Sequence, residues 1–139
     1  MSIPSTHIVT NSGLKSSINT YLFLGEISSA QNIHSAFAEE LNCPSLKECQ
    51  DIHMDNLKTL TAPLLTTCND LIVNAIQTLS LPSLTHCGNI TSASLTSLVV
   101  PNLQESGDIV VPNATHITIP GGLVSKVKEA APNVQYTLV

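Results

Sequence analysis

The sequence has no tryptophan, two tyrosines and two phenylalanines, and charged residues make up only 11% of its 139 positions. What is left, chiefly Leu, Ile, Val, Ser, Thr and Asn, suits strands and turns better than helices. Lysine and arginine number five against ten acidic residues, for a formal charge of -5. So few dispersed cations form no basic footprint, which argues against nucleic acid or anionic lipid as a partner. No apolar run reaches the length of a membrane span. Met1-Ser2-Ile3-Pro4 lacks the basic and apolar regions of a secretory signal, so the default location is the cytoplasm. A cell-surface or extracellular location follows if a leader has been trimmed or export is non-classical.

Familiar chemical motifs are missing too. There is no C-x2-C pair for a structural zinc site, no glycine-rich phosphate loop and no nucleophile elbow. The expectation is a protein that is not an enzyme and carries no cofactor or metal.

What is present is a period of 19 residues. Leu57-Lys58-Thr59-Leu60-Thr61-Ala62-Pro63 aligns without a gap on Ile76-Gln77-Thr78-Leu79-Ser80-Leu81-Pro82, and then on Leu95-Thr96-Ser97-Leu98-Val99-Val100-Pro101. With Leu57, Ile76 and Leu95 as place one, the fourth place reads Ile3, Leu22, Leu41, Leu60, Leu79, Leu98, Ile117. The ninth reads Ile8, Ile27, Leu46, Leu65, Leu84, Leu103, until Gly122 breaks it; the fifteenth reads Leu14, Ile33, Ile52, Leu71, Ile90, Ile109. Side chains alternate across a strand, so places four and six share one side, as do fifteen and seventeen.

Fixed-period repetition of this kind is the signature of a solenoid, in which each coil buries its apolar face only against its neighbours. The expected fold is all-β: one domain over 1–139, a single-stranded parallel β-solenoid or β-helix of seven 19-residue coils. The coils run at about 1–18, 19–37, 38–56, 57–75, 76–94, 95–113 and 114–120, with 121–139 as a cap. Right-handed winding is expected by analogy with parallel crossovers. In the cap, Leu123 to Ala131 has helical spacing and Val134 to Val139 reads as a last strand. Ser29 to Leu41 also has helical spacing, but the repeat runs through it undisturbed.

Two columns read as corners. The seventh place carries Pro44, Pro63, Pro82, Pro101 and Pro120; the fourteenth carries Gly13, Asn32, Asp51, Asp70, Asn89 and Asp108, residue types that tolerate left-handed geometry. An insertion of two residues at Asn69-Asp70 should then be accommodated.

The Leu-x-x-Leu-x-Leu-Pro-x-Leu cadence of Ile76 to Leu84 and Leu95 to Leu103, followed by a small residue and a Gly/Asn-Asp/Asn turn, resembles leucine-rich-repeat-like solenoids. The BspA-like repeats and receptor L domains are the nearest in cadence, and Ile117-Thr118-Ile119-Pro120 resembles the close of BspA-like arrays. The ninth place departs from ordinary leucine-rich repeats, holding Leu or Ile where they hold Asn or Cys, which favours a straighter β-helix over a horseshoe. The resemblance implies a recognition or adhesion surface.

The repeat accounts for most residues that might carry chemistry. Cys49, Cys68 and Cys87 stand in the small twelfth column, continued by Ala30 and Ser106, and are expected as structural packing. Asp51, Asp70, Asn89 and Asp108 are structural turn residues. His34 and His53 share the sixteenth place, too few ligands for a transition metal. Asn89-Ile90-Thr91 and Asn113-Ala114-Thr115 are glycosylation sequons, meaningful only in a secreted chain.

The expected binding face is the outward side of the first strand, with Thr59, Thr61, Thr78, Ser80, Ser97, His116 and Thr118. It would meet a protein or glycan partner. The alternative function is a structural subunit, a homo-oligomer joined through its sides or an uncapped first coil. A minor alternative is ice binding by the Thr and Ser array, which Glu40, Asn42, Val99 and His116 interrupt.

Overall fold

The computed structural model describes residues 9–10, 21–23, 27–34 and 38–139. It is a parallel β-solenoid of about six turns with almost no helix. Strands are numbered in chain order. One face is built from β2 (Tyr21–Phe23), β4 (Glu40–Asn42), β6 (Thr59–Thr61), β9 (Thr78–Ser80), β12 (Ser97–Val99), β14 (His116–Ile119) and β16 (Gln135–Leu138). The other face takes β1 (Val9–Thr10), β3 (Ser29–His34), β5 (Glu48–His53), β7 (Thr67–Cys68), β8 (Leu71–Ile72), β10 (His86–Cys87), β11 (Ile90–Thr91), β13 (Ile109–Val110) and β15 (Val127–Glu129). The Ser29 to Leu41 stretch is therefore sheet at β3 and β4, as the repeat demands.

Among the described residues every strand pairing is parallel, and from β2 to β14 the register is the one the sequence columns imply: Leu41 opposite Leu60, Leu79 opposite Leu98, Ile90 opposite Leu71 and Ile109. The fourth, ninth and fifteenth columns are buried wherever their side chains are described. The sixth column (Cys43, Ala62, Leu81, Val100, Ile119) and the cysteines of the twelfth are buried as well, and two columns the sequence reading did not single out join them. Place one contributes Ala38, Leu57, Ile76, Leu95 and Ala114, and place seventeen Met54, Val73, Ser92 and Val111. Ser92, the polar member, satisfies its buried hydroxyl by donating to the Val73 carbonyl of the coil before, at 2.5 Å.

Of the seventh-place prolines, Pro44, Pro63, Pro82 and Pro101 stand at turns, and Pro120 caps the 3-10 segment that follows it. Pro63-Leu64 and Pro82-Ser83 are each closed by a bond from the N–H at place nine to the carbonyl at place six, at 3.3 Å. Proline at the second position of such a turn sets φ and offers no N–H that would go unpaired.

The fourteenth place is different. No residue among those described has positive φ, so left-handed geometry is not the reason for Asp and Asn there. In β5 the chain runs straight through Asp51 as sheet. What selects these residues is a side-chain ladder. Asp51 Oδ1 accepts the Asp70 N–H at 3.1 Å, Asp70 Oδ1 accepts the Asn89 N–H at 3.2 Å, and Asn89 Oδ1 accepts the Asp108 N–H at 2.9 Å. Each carboxyl or amide oxygen satisfies a backbone donor one coil on, at a bend where the sheet ladder alone would leave it open. The second true turn lies at places eighteen and nineteen, as at Asp55-Asn56 and Asn74-Ala75.

The ends depart from strict repetition. Val9 lies opposite Ile33, 24 residues on, in place of the 19-residue spacing of the repeat. The rest of the first coil's columns, including Ile3, Ile8 and Gly13, lie outside the described residues. At the other end the helix is a 3-10 segment, Gly121–Lys126, which buries Leu123. It gives way at Val127 to β15, which pairs with β13 through a bulge, and β16 then returns to register with Gln135 opposite His116. The final segment thus continues the coil after two turns of 3-10 helix.

Candidate functional site

The seven residues expected to form a binding face all point outward from the first face, alternating with the buried Leu60, Leu79, Leu98 and Ile117. Thr59, Thr61, Thr78, Ser80 and His116 are exposed, and Ser97 and Thr118 half-buried. Stacking sets them about 4.8 Å apart between coils and roughly 7 Å apart along a strand. Glu40, Asn42, Gln135 and Thr137 extend the same two rows.

The face is divided. Strand pairing runs β2-β4-β6 and, separately, β9-β12-β14-β16, and no pairing joins β6 to β9. A cavity of about 300 Å3 opens beside this fault, lined by Lys58, Ala75 and Gln77. Thr59 and Thr61 therefore stand on one sheet and Thr78, Ser80, Ser97, His116 and Thr118 on the next.

His116 is oriented by its neighbour. The Thr115 hydroxyl contacts both the Thr96 carbonyl at 3.3 Å and His116 Nδ1 at 3.0 Å. Thr85 and His86 repeat the arrangement on the second face, at 3.1 Å to the Thr66 carbonyl and 2.9 Å to Nδ1.

The second face holds a groove the sequence did not announce. It has a volume of about 330 Å3 and is lined by Cys49, Gln50, Thr67, Cys68, Asn69, His86, Cys87, Gly88 and Glu105. The signal was available in the small twelfth column and in Gly88 and Gly107 beside it, since a lack of side-chain bulk over several coils makes a furrow. Gly88 is required sterically: a Cβ there would lie 2.8 Å from the Asn69 carbonyl oxygen.

All four cysteines are buried thiols, none in a disulfide. Burial, with a smaller contribution from Cys49, pushes the Cys43 thiol from 9.0 up to about 12. Cys68 is also held well above the ordinary thiol range, first by hydrogen bonding to Cys49 and Cys87 and then by burial. Both are protonated at neutral pH and poor nucleophiles. His86 and Cys87 are adjacent on β10 with side chains on opposite sides, one exposed and one buried, so the imidazole does not reach that thiol. His86 Nε2 instead lies 3.9 Å from Glu105.

Backbone pairing sets His34 opposite His53, whose Nε2 is 3.3 Å from Asp55 Oδ1; the His34 side chain lies outside the described residues. Among the described residues no three of His, Cys, Asp and Glu converge to hold a metal ion. None of the described helices is long and apolar enough to cross a membrane. Asn89 and Asn113, the sequon residues, are exposed, and Asn113 Nδ2 donates to the Ala93 carbonyl at 2.6 Å.

Comparison with protein-family models, with curated proteins and with solved structures finds no match.

Proposed function

We propose that the protein is a non-enzymatic recognition module whose first face, Thr59, Thr61, Thr78, Ser80, Ser97, His116 and Thr118, meets a protein or glycan. The supporting observation is the outward placement of hydroxyl and imidazole groups in two rows, continuous from β9 to β14, on a backbone whose own polar groups are largely consumed in stacking. Rows of preset donors and acceptors suit a repetitive ligand, and their ordering costs little entropy on binding because the strands already fix them. The leucine-rich-repeat-like cadence supports the same reading.

Binding by the wild type is compared with that of a Thr78→Ala, Ser80→Ala double variant on a glycan array and against immobilised protein from the native source. A lost hydrogen bond costs about 1 kcal/mol, so the double variant should bind roughly tenfold more weakly or worse. An unchanged profile for the variant sinks this face as the site.

A second reading, self-assembly, is favoured by β16. Among the described residues it pairs with β14 alone, and Tyr136 and Leu138, at inward places of the coil, are 36% and 59% exposed. The strand carries neither a charge nor a proline to guard its edge. Sedimentation of the purified chain decides: a strict monomer at high concentration excludes it.

A further inference from the structure

The cysteine column has a geometry that packing does not require. Cys68 stands opposite Cys87 in register, and Cys49 continues the column one coil earlier, opposite Ala30. The sulfurs of Cys68 and Cys87 share one orientation. Cys68 Sγ lies 3.7 Å from the Gln50 carbonyl and Cys87 Sγ 3.5 Å from the Asn69 carbonyl, equivalent groups one coil apart. Cys49 and Cys68 in turn approach the equivalent carbonyls of Asp51 and Asp70, at 3.6 and 3.9 Å. The parallel register sets successive members of the column one coil rise apart along the backbone, about 4.8 Å, with Cys68 within hydrogen-bonding reach of the thiols on both sides.

That spacing suits one kind of bond and not another. A disulfide needs its sulfurs at about 2.05 Å with the Cβ atoms turned toward each other, whereas stacked Cβ vectors are parallel. A linear S–metal–S unit with bonds of roughly 2.3 Å spans roughly 4.6 Å, close to the coil rise. Soft thiolates select soft, low-charge ions such as copper(I). The groove of about 330 Å3 opens directly on all three cysteines and gives an ion its way in. Ala30 and Ser106 end the column on either side, so it has three sulfurs and two gaps.

We propose that Cys49, Cys68 and Cys87 form a site for two soft monovalent cations of the copper(I) and silver(I) class, each linear between sulfurs of adjacent coils, with Cys68 bridging both. No oxidation state changes. Two cations replace three thiol protons, which leave to solvent, and the site gains one net negative charge. Uptake therefore weakens as pH falls, because protons compete for the same sulfurs. Convergence of three ligands on one point is not needed, since each ion takes two.

The test titrates the reduced full chain with silver(I), in excess glutathione to strip adventitious ions, followed by native mass spectrometry and proton release. The wild type should hold two ions and release three protons. Cys68→Ser leaves Cys49 and Cys87 two coils apart and should hold none; Cys49→Ser and Cys87→Ser should each hold one. Cys43→Ser, in another column, should still hold two. Serine already occupies the twelfth place at Ser106, so these variants suit the fold, and circular dichroism verifies it. If Cys68→Ser does not fold, Cys49→Ser and Cys87→Ser decide: either one holding two ions or none overturns the proposal. So does a Cys68→Ser that folds and keeps an ion, or a wild type that keeps none.

Discussion

Leu79→Asp should abolish cooperative folding. Leu79 is 0% exposed and lies between Leu60 and Leu98 in the fourth column, at the middle of the stack. Truncating such a leucine costs about 2–5 kcal/mol, and an unpaired buried carboxylate adds several more. A domain of this size is stable by only about 5–15 kcal/mol in total. The coil cannot swing the residue outward, because a one-residue slip would turn Thr78 and Ser80 inward and bury their hydroxyls. Urea unfolding followed by circular dichroism should show no cooperative transition, while Leu79→Met, which conserves volume, should stay within about 1.5 kcal/mol of the wild type. A Leu79→Asp protein unfolding cooperatively near the wild-type midpoint would mean the fourth column is not the core.

Inserting two residues between Asn69 and Asp70 should destabilise the protein far more than inserting them between Pro63 and Leu64. At the first site the chain is tied to both neighbouring coils. The Asn69 and Asp70 N–H groups donate to the Gln50 carbonyl and Asp51 Oδ1, and the Asn69 carbonyl and Asp70 Oδ1 accept from Gly88 and Asn89. Cys68 and Leu71, on either side, must both stay inward. Disrupting several of these bonds at about 1 kcal/mol each predicts a loss on the order of 3–5 kcal/mol. At Pro63-Leu64 the turn bond is long, at 3.3 Å, Leu64 is 44% exposed, and the loss to neighbours is the Ser83 hydroxyl bond to Pro63. Lengthening that loop adds only about 0.6 kcal/mol per doubling. Denaturant midpoints of the two insertions, compared side by side, check the order; equal losses would return the fourteenth place to the status of a corner.

That contrast marks where sequence reading reached its limit. The aliphatic columns were legible because nothing but burial explains Leu or Ile recurring at the same place coil after coil. The fourteenth column was legible as a pattern but not as a cause, since Asp and Asn serve equally at a left-handed turn and as acceptors for a neighbouring N–H. Only the backbone angles separate the two. At β1 the 19-residue period points away from the 24-residue spacing observed, because Val9 is aliphatic yet lies outside the column that Ile33 occupies.

The same limit applies at the far end. Leu123, Val127 and Ala130 share a helical face, yet Val127–Glu129 leaves the helix because β13 offers an unpaired edge, and edge availability is a tertiary fact. As for the candidate site, the outward rows followed from alternation, whereas the fault between β6 and β9 and the groove over the cysteines depend on how coils settle on one another. The sequence repeats smoothly across both.

Coils of 19 residues stack in parallel register, so one coil can be removed whole. Deleting residues 76–94 joins Ala75 to Leu95 and leaves every column aligned, with one rung fewer. X-ray scattering and urea unfolding of that deletion, beside a deletion of half its length over the same region, measure the claim directly. The account predicts a folded, cooperative protein shortened by about 4.8 Å for the whole coil, and an unfolded chain for the half coil. An unfolded whole-coil deletion, or a half-coil deletion that folds as well as the wild type, would contradict it.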